Sequence, residues 1–217
     1  MTDFLLLKFL MMRYPFFILS LSFYFLNCES KKDNFQIGTQ RANKIENIVK
    51  AVMIQDSLNV FIDNNESNYF CEDLSKLNIK LTEKVNKRKG VLPLPHSVVV
   101  QVEYLISKKV NNDLFFTVKD TASIYIQNKY PEMFKLNIEN FKDVNFISLE
   151  TAKKKRRNNE YFNFYSVSIP IFSSDNRKAY LQVMHICGSL CGSGQDVFLE
   201  KIRGKWTIVD KFESWVN

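Results

Sequence analysis

The sequence has few glycines and prolines, six and five respectively in 217 residues. It also contains no internal repeat and no low-complexity tract. Disordered chains are typically rich in such residues and poor in apolar ones. Here 46% of the residues are hydrophobic, enough for a chain of this length to bury a core. The composition therefore argues against a long disordered tail and favours one folded domain.

The sequence also has few histidines, and its one glycine-rich stretch does not match a phosphate-binding motif. The chain holds two histidines, which leaves no second ligand pair for a tetrahedral zinc site. The Gly-Ser-Gly stretch at residues 192–194 lacks the following Lys-Ser/Thr of a phosphate-binding P-loop. We therefore expect no cofactor and no metal.

The charge balance is basic but moderate, with a formal net charge of +7 and 24% charged residues. Such a surplus suits an acidic partner, but it more often forms a solvated surface, and nucleic-acid binding is not expected. The densest positive cluster, residues 153–157, reads Lys-Lys-Lys-Arg-Arg. We expect it to be a solvated connecting segment, with contact to anionic lipid headgroups or acidic polymers as the alternative.

The N-terminus has the pattern of a secretion signal. Residues 14–26 are apolar except for two serines, and Lys8 and Arg13 precede them. A basic start followed by an apolar run of this length is typical of a signal peptide. The run is short for a bilayer span, which needs about 20 apolar residues. An uncleaved anchor is the alternative.

Cys28 closes the apolar run and polar residues follow it at once. This arrangement looks like a bacterial lipoprotein signal, in which the cysteine is lipidated, although Phe25 and Asn27 depart from the usual box. A plain secretion signal is the alternative. The predicted organisation is a signal peptide over 1–27, a tether over 28–38 and one domain over 39–217. It places the protein in the bacterial cell envelope, attached to a membrane by a lipid anchor, or else secreted.

The pattern turns helical at Thr39, and the helix is expected to end near Asp56 or Leu58. Apolar residues recur there at spacings of three and four, and charged residues occupy the other face. The apolar members of this stripe are Ala42, Ile45, Ile48, Val49, Val52 and Met53. An amphipathic helix packed against a core is therefore predicted.

Short strands are predicted through the middle of the chain, from apolar alternation and β-branched runs. The expected strands are residues 76–81, 98–102, 114–118 and 144–149. Asp120 and Thr121 are expected to open a short helix before Pro131. The aromatic run at 161–172 is also strand-like, and Pro170 within it belongs at an edge or a bulge.

The stretch from residue 179 to 215 predicts a three-stranded meander. Its first turn, residues 187–194, contains two cysteines. Gly188 lies between them, and Gly192 and Gly194 follow the second one. Its second turn is Arg203-Gly204, a two-residue hairpin signal in which Gly204 supplies the turn conformation.

Both tryptophans are expected to be packing residues in or beside the last strand of this meander. Simple alternation along that strand puts Trp206, Ile208, Asp210 and Phe212 on one side and Thr207, Val209 and Lys211 on the other.

Cys187 and Cys191 are the principal candidates for site chemistry. In an oxidising compartment a disulfide is the leading interpretation. Reduced thiols, a metal site with His185, and a nucleophilic cysteine with His185 as its base are the alternatives. Cys71 is left over, as a small buried residue or as a partner for one of the two.

The C-terminal half resembles a family of uncharacterised secreted or lipid-anchored proteins, found mainly in Bacteroidetes-type bacteria. The resemblance covers roughly residues 120–217 and rests on a Cys-Gly-x-Leu-Cys-Gly-x-Gly run at 187–194, Leu-Glu-Lys at 199–201, Gly-Lys-Trp at 204–206 and a closing Trp215. It implies an envelope location and an α+β domain. It carries over no catalytic residue.

Together these observations predict an α+β fold, with an N-terminal amphipathic helix packed on a mostly antiparallel sheet of five to seven strands. The arrangement resembles helix-on-sheet folds of the nuclear-transport-factor-like or cystatin-like kind, an analogy that carries no function. The expected function is non-catalytic binding of an unknown protein or small-molecule ligand. An envelope enzyme using Cys187, Cys191 or a pocket in the sheet, and an immunity-type inhibitor, are the alternatives.

Overall fold

The computed structural model describes residues 38–62, 68–81, 99–129, 131–158, 160, 162–187 and 191–216. The chain divides into two compact units, Met1–Lys44 and Ile45–Asn217. Of the first unit the structure describes only residues 38–44, which are helical. The expected signal peptide, Cys28 and the expected tether up to residue 37 lie outside the described residues. All that follows concerns the second unit unless stated otherwise.

Helix α1 comprises residues 38–55, as the apolar spacing predicted. Its stripe is buried from residue 45 onwards, at Ile45, Ile48, Val49, Val52 and Met53. Since residues three and four apart share one helix face, these five side chains form one continuous surface against the core. The helix ends just before the segment in which Ser57 adopts a φ of 51°.

Short elements make up the next part of the chain. In order they are β1 (Tyr69–Cys71), β2 (Asp73–Ser75), β3 (Asn78–Lys80), β4 (Val99–Gln101), helix α2 (Val102–Ser107), β5 (Lys109–Val110), β6 (Asp113–Leu114), a 3-10 turn (Val118–Asp120), helix α3 (Thr121–Ile126), a second 3-10 turn (Gln127–Lys129), β7 (Met133–Lys135) and a third 3-10 turn (Ile138–Asn140).

The elements lengthen toward the C-terminus. They are β8 (Phe146–Ile147), helix α4 (Leu149–Arg157), β9 (Asn163–Val167), β10 (Ile171–Phe172), β11 (Lys178–Cys187), β12 (Cys191–Ile202) and β13 (Lys205–Val216). The last three strands are the expected meander, and they are the longest strands among the described residues.

The main sheet has seven strands, in the order β13-β12-β11-β9-β1-β8, with β10 also pairing β11. The pairs of β11 with β9, β10 and β12, and of β12 with β13, are antiparallel. The pairs of β1 with β8 and β9 are parallel. The fold is therefore α+β around a mixed, mostly antiparallel sheet, as predicted.

Each face of this sheet carries its own core. The helix face, which bears Leu181, Val183, Val197 and Leu199, packs against α1. The opposite face, which bears Tyr180 and Phe198, packs against residues of the β3–α3 segment. A third, smaller cluster joins α4 to the β1 end of the sheet. The layers are thus helix, sheet, and an irregular covering layer.

Two local predictions from the sequence are confirmed. Arg203 and Gly204 both have positive φ, 49° and 83°, which is the geometry of the tight turn that joins twisted antiparallel strands. Pro170 lies between β9 and β10, where both short strands pair with β11. A residue without an N–H is accommodated there because the ladder is interrupted.

Three predictions were wrong in detail. The basic residues 153–157 do not connect elements but form the second half of α4, where positive side chains lie favourably beside the helix C-terminus. Of the strand expected at 114–118, only residue 114 is in a strand, and the chain then turns into a 3-10 helix. Residue 102 starts helix α2 rather than ending a strand.

The alternation predicted along β13 was also wrong, because the strand contains two bulges. The register jumps between Phe198 and Leu199 of β12, so that these residues face Asp210 and Ile208 and leave Val209 as an extra residue. A bulge reverses the side-chain alternation beyond it. Trp206 and Ile208 consequently belong to the helix-face core, while Phe212 belongs to the core of the opposite face.

Within the described residues, no helix is both long enough and apolar enough to span a membrane.

Candidate functional site

The helix face of the sheet is not completely filled. A pocket of about 200 Å³ opens where α1 ends, over strands β9, β11, β12 and β13. Apart from Leu58 and Val183, its lining is polar: Asp56, Tyr165, His185, Ser193, Gln195 and Lys211. Ligand pockets are usually lined chiefly by apolar side chains with a few polar groups, so a concave site with this many converging polar groups favours a polar ligand.

Strand register brings the pocket residues together. His185 on β11 lies opposite Tyr165 on β9 and opposite Ser193 on β12. One row nearer the core, Val183 lies opposite Gln195. Because alternate residues of a strand share a face, all five side chains project to the side occupied by α1.

His185 is held by aromatic stacking. Its ring lies 4.5 Å from the Tyr165 ring, centroid to centroid, at an interplanar angle of 22°. Burial lowers the pKa of His185 below its ordinary value, so the imidazole is neutral at pH 7. A neutral imidazole has one donor and one acceptor nitrogen. It can therefore bind a hydrogen-bond donor or an acceptor.

Three buried side-chain atoms among the described residues have no hydrogen-bond partner: Asn163 Oδ1, His185 Nε2 and Gln195 Oε1. Asn163 lies opposite Cys187 on the helix face, one row beyond His185. Orphaned buried polar atoms are rare in folded proteins, because each loses its hydration without compensation. Here all three lie on one face, at one end of the sheet.

An ion pair borders the pocket. Lys211 Nζ contacts Asp56 Oδ1, and the Asp56 side chain is 5% exposed while that of Lys211 is 49% exposed. Burial, and then the negative charge of Asp56, raise the pKa of Tyr165. The Tyr165 hydroxyl therefore stays protonated and can donate.

Gln55, the last residue of α1, fixes the helix end against β13. Its Nε2 donates to the Trp206 carbonyl at 2.8 Å, and its Oε1 accepts from Ile208 N at 2.9 Å. These two bonds lie next to the Val209 bulge. The bulge lets Trp206 and Ile208 pack under α1 and brings Lys211 to the same face, beside Asp56.

The predicted disulfide is present. Cys187 and Cys191 are joined across the β11–β12 pair, with their Cα atoms 4.9 Å apart. The bridge closes the pocket end of this hairpin, two residues from His185 on one strand and two from Ser193 on the other. Since the bond uses both sulfurs, neither is a thiolate ligand or a nucleophile in this form.

Cys71 and the metal-site alternative have outcomes of their own. Cys71 is free and fully buried, so it is not a disulfide partner of Cys187 or Cys191. Burial raises its pKa to about 11, which leaves it protonated and unreactive. No three His, Cys, Asp or Glu side chains of the described residues are grouped to hold a metal ion.

The glycines of the expected first turn are placed differently from the prediction. Gly192 and Gly194 lie in β12, not in the turn, and Gly188 lies outside the described residues. The Trp215 indole packs against both, and a Cβ at Gly194 would overlap its ring. A strand glycine is needed where an aromatic ring approaches the backbone this closely.

The opposite face carries a polar network of a different kind. Asp196 is buried and accepts a hydrogen bond from the Tyr104 hydroxyl at 2.9 Å and from Gln182 Nε2 at 3.2 Å. Gln182 Nε2 also lies 3.1 Å from the Tyr180 hydroxyl. Burial raises the pKa of Asp196. Because these hydrogen bonds join Tyr104 of α2 to Asp196 and Asp196 to its neighbours on the sheet, the cluster holds the covering layer on the sheet.

Most of the pocket was not identified from the sequence. His185 was the only lining residue predicted as a site residue, and it was considered only with the two cysteines. Gln195 and Ser193 are polar positions in an otherwise apolar alternation, a signal that could have been used. Asp56 and Lys211 carry no such signal, since their pairing depends on where α1 ends and on the bulge.

Comparison with known proteins identifies no relative. No family model, no curated protein and no solved structure matches this chain.

Proposed function

We propose that this protein is a non-catalytic, lipid-anchored binding protein of a bacterial cell envelope, and that the pocket beside His185 holds its small-molecule ligand. The observation that carries the proposal is that His185 Nε2 and Gln195 Oε1 are both buried and unpartnered in the residues that line one pocket. An unpaired buried polar atom costs about 1–3 kcal/mol. A ligand that supplies both partners recovers that cost.

Binding is favoured over catalysis by the state of the reactive groups. Cysteine catalysis needs a thiolate, and Cys187 and Cys191 are bonded to each other. General-base catalysis by histidine normally uses an orienting hydrogen bond on the second ring nitrogen, whereas the described contact of His185 is a ring stack on Tyr165. The pocket therefore presents recognition groups rather than a nucleophile and its base.

The proposed envelope location is supported by the N-terminal pattern and by the disulfide. Disulfides persist in oxidising compartments and are rare in a reducing cytosol, and this one is built into the core hairpin. Cys28 is the proposed lipidation site, after removal of residues 1–27. Membership of the uncharacterised Bacteroidetes-type family that the C-terminal motif resembles remains a proposal.

Lipidation is tested by growing a bacterial host that expresses the full chain with an alkyne-tagged fatty acid. We expect label on the wild type and none on Cys28→Ser. Cys71→Ser is the matched control, because it removes a buried thiol and should leave labelling unchanged. Labelling of Cys28→Ser would contradict this anchor.

Ligand binding is tested by saturation-transfer NMR on the full chain, with separate mixtures of sugars, amino acids, carboxylates and amines. We expect signals from at least one mixture, and their loss in the double variant His185→Phe/Gln195→Met. Gln40→Met, the same change at an exposed glutamine, should keep them. Signals that persist in the double variant, or that no mixture gives, would overturn the proposed pocket.

A further inference from the structure

The charge of the pocket restricts its ligand. Its acidic and basic lining residues, Asp56 and Lys211, are paired with each other. His185 is neutral, and Ser193, Tyr165 and Gln195 carry no charge. The pocket thus has formal charges that already cancel. A ligand with its own net charge would have to compete with one member of that pair.

The unpartnered atoms restrict the ligand further. Gln195 Oε1 only accepts hydrogen bonds, so the ligand must donate to it. His185 Nε2 accepts in one neutral tautomer and donates in the other. The hydroxyls of Tyr165 and Ser193 can do either. The lining therefore matches groups that both donate and accept, which is the property of a hydroxyl.

The size and the apolar content of the pocket further restrict which ligands it can bind. At about 200 Å³ the pocket is smaller than the 300 Å³ or more that is typical of drug-sized ligands. Its apolar lining is limited to Leu58 and Val183, and one face of the Tyr165 ring is covered by His185. A flat apolar ligand would find little surface there.

We propose that the pocket binds a small, uncharged, polyhydroxylated molecule of one ring, of the monosaccharide or cyclitol class, through Gln195, His185, Ser193 and Tyr165. This inference rests on the proposed binding function and names the chemical class of the ligand. A carboxylate would place its charge against the acceptor Gln195 Oε1 and near Asp56. An ammonium would compete with Lys211 for Asp56.

The test is calorimetric titration of the full chain, in a detergent without a sugar headgroup. The probes are D-glucose, N-acetyl-D-glucosamine and myo-inositol, compared with glycine, acetate and methylammonium. We expect saturable binding of at least one polyol, and a Kd raised about tenfold by Gln195→Met, as for loss of one net hydrogen bond. Gln40→Met should bind as the wild type does.

Salt dependence gives a second readout. Because added salt screens interactions between charges, the Kd of an uncharged polyol should be unchanged when ionic strength is raised. A Kd that rises with salt would contradict a neutral ligand. Binding of glycine, acetate or methylammonium without any polyol would overturn this inference and leave the proposed binding function intact. If no probe binds and the saturation-transfer screen is also silent, both proposals are wrong.

Discussion

The two faces of the central sheet bury polar groups in opposite ways. On the opposite face, Asp196, Tyr104 and Gln182 satisfy one another. On the helix face, His185 Nε2 and Gln195 Oε1 are buried atoms that nothing in the described protein satisfies. A satisfied network stabilises a fold, whereas an unsatisfied one costs stability. The contrast locates the candidate function on the helix face.

The difference follows from what covers each face. On the opposite face, α2 places Tyr104 directly over Asp196. On the helix face, α1 stops at residue 55, and Asp56 and Leu58, which follow it, line the pocket together with His185. The space that the helix leaves uncovered is the pocket.

The largest expected effect comes from breaking the satisfied network. Asp196→Ala leaves Tyr104 and Gln182 without their buried acceptor, and we expect a loss of about 3 kcal/mol in the free energy of unfolding. Urea denaturation of both proteins measures it. Asp210→Ala is the matched control, since this partly exposed carboxylate forms an ion pair with Lys108 and should cost about 1 kcal/mol or less. Equal losses of unfolding free energy in the two variants would show that the Asp196 network stabilises the fold no more than the partly exposed ion pair does.

The disulfide should have the next largest effect. Joining residues only four apart restricts the unfolded chain by about 2 kcal/mol on the loop-entropy model. We expect Cys187→Ser to lose this amount when the proteins are compared under oxidising conditions by urea denaturation. Under a reducing agent, wild type and variant should be close to equal. A variant that is as stable as the oxidised wild type would show that the bridge does not restrain this end of the sheet.

A gain in stability is expected on the helix face. Gln195→Met removes an unsatisfied amide and keeps a side chain of similar length, so we expect an increase of up to about 1 kcal/mol in unfolding free energy without ligand. The same variant should bind the polyol about tenfold more weakly. Thermal denaturation with and without the best-binding polyol separates the two effects. A destabilised variant would mean that Gln195 has a structural partner.

The smallest expected effects are two changes of the unfolding free energy with pH, which have opposite signs. The pKa of His185 is lowered from 6.5 by burial, so its contribution to stability is complete above pH 6.5 and is lost as pH falls below it. The pKa of Asp196 is raised from 3.8, also chiefly by burial. Its contribution is complete below pH 3.8 and is lost as pH rises above it.

Unfolding free energies in buffers that span both pKa values measure these slopes. We expect His185→Phe to flatten the acid-side loss, and Asp196→Asn to flatten the loss on the alkaline side of pH 3.8. The two variants serve as controls for each other. Profiles that stay parallel to the wild type in both variants would show that neither group titrates as its burial implies.

The parts of the fold that depend on local chemistry were predictable. The helix stripe from Ile45 to Met53, the Arg203-Gly204 turn and the disulfide each follow from residues close in sequence. The alternation and turn signals in the last third of the chain also predicted the meander. Such features require no knowledge of distant partners, because their geometry is set by backbone preference and short-range spacing.

The candidate site was not predictable in the same way. Its lining comes from the end of α1 and from four strands, and no local pattern links Asp56 to Lys211. The parallel pairing of β1 with β8 and β9 likewise joins segments that are far apart in the sequence. The bulge at Val209 reversed the predicted sides, since one extra residue moves the side chains that follow it to the other face, here as far as the second bulge.

That extra residue decides which hydrophobic core the outer half of β13 joins. Before Val209 the strand contributes Trp206 and Ile208 beneath α1, and after it Phe212 joins Phe198 on the far side. If Val209 instead paired regularly with Phe198, the side chains from Asp210 to Glu213 would project to the other face of the sheet. Lys211 would then leave Asp56 without its counter-ion. A deletion of Val209, by contrast, would remove the bulge and leave Lys211 opposite Val197, so this wall of the pocket depends on the strand register and not on the Val209 side chain.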